Sequence, residues 1–131
     1  MSPENERLLA QKYVDIFTDI YKSPKESNMA FGIECGDGWF NLLDTLCEEI
    51  TAYLKGKKTP PVIATQIKEK YGTLRFYYIG GDDYIDTLVE AAEKLSEKIC
   101  EECGKSGEIY DKGWVYCRCE SCAKNLGLKS R

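Results

Sequence analysis

Histidine is absent from all 131 positions. That excludes Ser-His-Asp and Cys-His catalysis, removes the commonest general base, and rules out every mixed Cys/His zinc site. Long apolar runs are absent too, since no stretch approaches the ~18–20 residues a membrane helix needs. The opening MSPENERLLAQK is polar and acidic, unlike a secretory signal. Seven cysteines make an odd number, and with no signal a disulfide framework is not expected. These absences place the chain in a reducing cytoplasm, with Cys35 and Cys47 reduced and unpaired and Cys47 near the apolar face of a helix. Internal repeats and low-complexity tracts are missing as well.

What remains is an ordinary globular composition, 43% hydrophobic and 31% charged, most simply one domain. The formal net charge is −4. Four thiolates around one Zn²⁺ would take the folded chain to about −6. The charge is uneven. Residues 1–50 carry net −6, residues 51–80 net +5, residues 81–99 net −4 and residues 100–131 net +1. One basic segment thus sits inside an acidic protein.

Hydrophobic period divides the chain. Between Glu4 and Tyr21 the residues Leu9, Tyr13, Ile16, Phe17 and Ile20 recur at helical spacing, and Ser23–Pro24 ends the pattern. After a linker, Asp37 is placed to cap a second helix with Trp39, Leu42, Leu43, Leu46, Ile50 and Leu54 on one face, ending at Gly56. Residues 62–79, VIATQIKEKYGTLRFYYI, switch to alternation around a Tyr71–Gly72 turn and predict a hairpin with Ile63, Ile67, Leu74 and Phe76 inward. A third helix from about Tyr84 to Lys98 carries Ile85, Leu88, Val89, Ala92 and Leu95 in a stripe. Residues 107–116 suit a second short hairpin, and SCAKNLG a final helical turn. The expected fold is α+β, with helices on a β-hairpin sheet and a zinc-ribbon-like end. It is a single domain over 1–131, comprising an N-terminal helix (1–25), an α+β core (36–99) and a zinc-binding tail (100–131).

Five cysteines fall within residues 100–122. A structural zinc site uses four. Cys100-x₂-Cys103 and Cys119-x₂-Cys122 are two tight turns whose backbone N–H groups can face the thiolates, and Gly104 suits the first turn. Four sulfurs close a tetrahedral zinc and leave no position for water. Cys117 in place of Cys119 would give a looser x₄ spacing to Cys122, so Cys117 is read as a strand-end residue beside the site. One zinc per chain is the expected cofactor.

The blocks GDGWFNLLDTLCEEI, IKEKYGTLRFYY and CEECG, then Gly113–Trp114 and a closing Cys-x-x-Cys, resemble a family of small uncharacterised phage and prophage proteins over roughly residues 31–123. In that family the last pair stands in Thr-Leu-Cys-x-x-Cys. The matching positions here are Cys117, Arg118, Cys119 and Cys122, so Cys117 stands where the family has threonine. The resemblance implies a viral accessory protein acting in the bacterial host cytoplasm, without a known activity.

Two further constellations point to binding. With the apolar residues inward, Lys68, Arg75 and Tyr77 share the hairpin's other face, where an ammonium, a guanidinium fork and a phenol suit a phosphate-bearing ligand with a base to stack. The glycine turn CGDGWF can aim backbone N–H groups, that of Gly38 among them, at an anion, although a capped helix with Trp39 in the core is the plainer reading. Glu48–Glu49 and Asp82–Asp83 read as solvated carboxylates. The expected function is non-enzymatic capture of a nucleotide-like ligand, such as a nucleotide immune signal, or of a host protein, in counter-defence. A nucleic-acid-binding zinc ribbon is the alternative, disfavoured by net negative charge. An enzyme is the least supported class, for want of histidine, an open metal position or a nucleophile motif.

Overall fold

In chain order the elements are α1 (Pro3–Lys12), β1 (Ile33–Glu34), α2 (Phe40–Leu54), β2 (Ile63–Lys70), β3 (Thr73–Ile79), α3 (Asp83–Ser96), β4 (Glu108–Tyr110), β5 (Tyr116–Arg118) and α4 (Glu120–Asn125). The structure is a computed structural model that describes residues 1–111 and 113–127, so Lys112 and residues 128–131 of the C-terminal tail lie outside the described residues. The fold is α+β. A three-stranded sheet runs in the order β1-β2-β3, with β1 parallel and β3 antiparallel to β2, and β4 and β5 form a separate two-stranded ribbon.

The core lies between this sheet and the paired helices α2 and α3. Leu43, Leu46, Cys47 and Ile50 of α2 and Ile85 and Val89 of α3 are buried with Ala64, Ile67, Leu74 and Phe76 of the hairpin. Asp82 caps α3 by accepting from the N–H groups of Tyr84 and Ile85. β3 is an edge strand, and α3 covers that edge chemically. The Leu74 N–H donates to Ser96 Oγ at 2.9 Å and the Phe76 N–H to Glu93 Oε2 at 2.9 Å.

Several sequence expectations shift for tertiary reasons. The N-terminal helix stops at Lys12, and a 3-10 turn follows at Thr18–Tyr21. The Ile16 carbonyl, which a continuous helix would consume internally, instead accepts the Ala64 N–H at 2.8 Å. The hairpin register slips between Ala64 and Gln66, a bulge that changes which residues point inward. Val62 and Ala64 are therefore buried ahead of the bulge and Ile67 after it, while Ile63 is only half-buried. At the end of α3 the buried residue is Ser96, and Leu95 is exposed. Asp37 does not cap α2. It lies in a 3-10 turn ahead of that helix, and its Oδ1 accepts from the Ser2 N–H at 2.8 Å and from Asn5 Nδ2 at 3.2 Å. The Ser2 bond, and then Asn5, hold its carboxyl below the usual range, against some desolvation.

The β2–β3 turn consists of Tyr71 and Gly72 with φ of 53° and 79°. Two positive φ values in a two-residue hairpin loop are the type I′ pattern, which favours Asn-Gly. Tyr71 is the one non-glycine with positive φ among the described residues. Replacing it with a residue that tolerates this region should relieve the strain. Tyr71→Asn should raise unfolding stability by about 1 kcal/mol, read by urea or thermal denaturation; an unchanged or lowered midpoint would show that the turn is not strained.

Candidate metal centre and binding face

The sulfurs of Cys100, Cys103, Cys119 and Cys122 all lie within 4.8 Å of one another. Cys103 and Cys119 are 3.6 Å apart. Four sulfurs at ~2.3 Å from a central ion stand about 3.8 Å apart, so this set can hold a metal ion. It is the one such group of ligating side chains among the described residues. It is also the set the spacing selects.

Each pair is shaped by local backbone. Cys100 lies four residues past the end of α3, its N–H donating to the Lys105 carbonyl at 2.7 Å, while the Gly104 N–H closes the turn on the Cys100 carbonyl at 2.9 Å. Gly104 has φ of +82°, which explains the glycine after the second cysteine. The Lys105 N–H draws the Cys103 thiol down, but desolvation and the neighbouring Cys119 and Cys100 thiols outweigh it and raise its pKa. In the second pair Cys119 caps α4, accepting the Cys122 N–H at 3.4 Å. That bond is the main reason the Cys119 pKa falls to about 7.

Cys117 faces the other way. Its thiol donates towards the carbonyls of Ser96 at 3.2 Å and Ile99 at 3.1 Å, at the end of α3. Burial pushes its pKa up to about 11. Cys35 and Cys47 are free and buried, and burial raises both thiols, Cys35 to about 12.

The metal turn is packed onto the core by the glycine loop. The Gly38 N–H donates to the Glu101 carbonyl at 2.7 Å, the Gly36 N–H to Glu101 Oε2 at 2.8 Å, and Trp39 Nε1 to the Ile99 carbonyl at 2.9 Å. A Cβ on Gly38 would stand 2.1 Å from the Cys100 oxygen. The anion site expected at Gly38 is therefore corrected, because its N–H is already spent on the metal turn. Glu101 also accepts from Arg118 Nη1 at 3.1 Å, with both side chains largely buried. Sequence reading missed this pair, since nothing in the spacing of Glu101 and Arg118 marks it.

Lys68, Arg75 and Tyr77 do share a face. The register sets Lys68 opposite Arg75 and Gln66 opposite Tyr77, on the side away from buried Ile67 and Phe76. Tyr77 is exposed, and Lys68 and Arg75 are half-buried. Among the described residues neither cation has an ion-pair partner. Arg75 also borders a shallow hollow lined by Glu90, Glu93, Lys94 and Glu97, and its Nε is buried without a hydrogen-bond partner. Glu48 and Glu49 are exposed on α2, while Asp82 is engaged by the Tyr53 hydroxyl at 2.7 Å. No described helix is long and apolar enough to cross a membrane.

Compared with protein-family models, curated proteins and solved structures, the chain matches none of them. The geometry has to carry the functional argument.

The ligand set is directly testable. Cys119→Ser should lose the bound metal measured by native mass spectrometry, whereas Cys117→Ser should retain it; the reverse pattern would show that Cys117 is the fourth ligand. Gly38→Ala should lower stability by at least ~1–3 kcal/mol, as overpacking does, although Gly38 is not a ligand.

Proposed function

We propose that the chain is a zinc-stabilised, non-enzymatic binding protein that captures a phosphate-bearing ligand on the basic face of the β2–β3 hairpin. Zinc is the metal favoured by four thiolates in tetrahedral array, and such a site is structural, with no position left for substrate. The observation that carries the reading is the cross-strand pair Lys68–Arg75. Like charges directly opposite one another destabilise a sheet, and among the described residues neither makes an ion pair, although Glu34 of β1 lies opposite Lys68 and Glu90, Glu93 and Glu97 line the hollow beside Arg75. A phosphate between them would turn repulsion into two charge-assisted contacts. Tyr77, exposed next along the same face, would stack a base.

The resemblance to phage proteins supports a site of action in a bacterial host cytoplasm, and counter-defence by sequestering a nucleotide signal follows from that setting. Capture of a host protein by the same face is the related reading. A nucleic-acid partner would have to engage the +5 segment while the remainder of the chain repels it.

The experiment is titration of the zinc-loaded protein with mono- and cyclic nucleotides and oligonucleotides at two salt concentrations. Arg75→Ala should weaken binding at least tenfold, the equivalent of the ~1.5–3 kcal/mol of a charged hydrogen bond, with zinc content and melting temperature nearly unchanged. A small ligand should give a shallow salt dependence and a nucleic acid a steep one. Unaltered affinity in both Arg75→Ala and Lys68→Ala would leave this face a solvated sheet surface.

A further inference from the structure

The strained turn residue and the most exposed tryptophan line the same cleft. Tyr71 and Trp114 are 70% and 74% exposed, and with Lys68, Lys70 and Val115 they border a hollow of about 330 Å³ between the β2–β3 turn and the β4–β5 loop. The two elements are held together by close packing, since a Cβ on Gly72 would stand 3.1 Å from Ile109 and 3.2 Å from Val115. Glu69, also at the cleft, is occupied in accepting the Gly72 N–H at 2.7 Å. Neither ring has an aromatic partner among the described residues, and the Lys70 ammonium lies 5.9 Å from the centre of the Tyr71 ring.

Exposed rings occur elsewhere on this chain, at Tyr21 and Phe31 among others, but Tyr71 and Trp114 border one hollow, and Tyr71 does so from a backbone conformation that disfavours it. Strain and exposure together point to recognition. At about 330 Å³ the hollow is at the lower end of the ~300–1,000 Å³ typical of small-ligand pockets. Two aromatic faces beside two ammonium groups match a flat ring carrying an anion.

We infer that this cleft is a nucleobase clamp, in which Tyr71 and Trp114 hold the base of a nucleotide and Lys68 and Lys70 hold its phosphate. The inference deepens the reading above, with Lys68 common to both, and relocates the stacking from Tyr77 to the Tyr71–Trp114 cleft. A free nucleotide and the end of a single strand present this same chemistry.

Tryptophan emission reads the site selectively, because Trp39 is fully buried and Trp114 is the exposed one. The zinc-loaded full chain is titrated with AMP, TMP, dT12 and dA12, following the long-wavelength emission. Saturable quenching is expected. Quenching by AMP or TMP identifies a free nucleotide as sufficient, and quenching by dT12 or dA12 alone identifies a strand; either supports the clamp. In polarisation assays with the labelled probe that binds, Trp114→Ala and Tyr71→Asn should each weaken binding more than tenfold with zinc content unchanged. Tyr71→Asn is the decisive variant, since the turn it makes is the better one and lost binding cannot come from unfolding. If these two variants bind normally while Arg75→Ala and Tyr77→Ala fail, the clamp is overturned and the hairpin face stands. If the clamp variants alone fail, the clamp stands and the Arg75–Tyr77 face falls. No saturable quenching by any of the four probes overturns the clamp.

Discussion

The backbone of the glycine loop lies so close to that of the first metal turn that no side chain fits between them, and the arrangement of the molecule follows from that contact. Gly38 donates to the Glu101 carbonyl, and Gly36 to its carboxylate. Trp39, fully buried, reaches the Ile99 carbonyl one residue before the first metal cysteine. Three consecutive features of one loop thus hold one turn. Buried backbone groups need partners, and here the groups of two chain segments some sixty residues apart in sequence satisfy one another. The metal end is in this way an extension of the helical core rather than an appended tail.

Cys117 and the Glu101–Arg118 pair make the same junction from the other side. The cysteine thiol serves carbonyls at the end of α3, where a helix leaves acceptors without partners. The ion pair is nearly buried, so its loss on one side alone would strand a charge, a penalty of ~3–5 kcal/mol in comparable cases. Structural zinc contributes ~10–16 kcal/mol in small peptides, as much as the ~5–15 kcal/mol by which a whole domain is stable. A metal ion held by the four cysteines would therefore be coupled to global stability through the glycine loop.

The four clustered cysteines and their neighbours pack against the core, while the hairpin turn and part of one hairpin face stay exposed. Helices α2 and α3 cover one side of that sheet, and side chains of α3 occupy the open edge of β3. The other side keeps cations opposite one another and aromatic rings in water.

Local chemistry was enough to pick out the four cysteines whose sulfurs come together, since two Cys-x-x-Cys turns have few ways to present sulfur and the sequence offers no histidine to compete. Periodicity likewise fixed the α+β class, the hairpin and its turn, and most of the inward residues of α2 and α3, because one face of each had to be apolar. Other features depended on distant partners. The N-terminal helix stops at Lys12 and the Ile16 carbonyl beyond it pairs with Ala64, and a bulge beside Ala64 changes which residues of β2 face the core. Gly38 reads as an anion site until Glu101, remote in sequence, occupies its N–H. The cleft between Tyr71 and Trp114 is the furthest from local rule, for each residue alone is an exposed ring in a turn. Only the packing of the ribbon against Gly72 brings them to one hollow, and no pattern along the chain records an approach made through space.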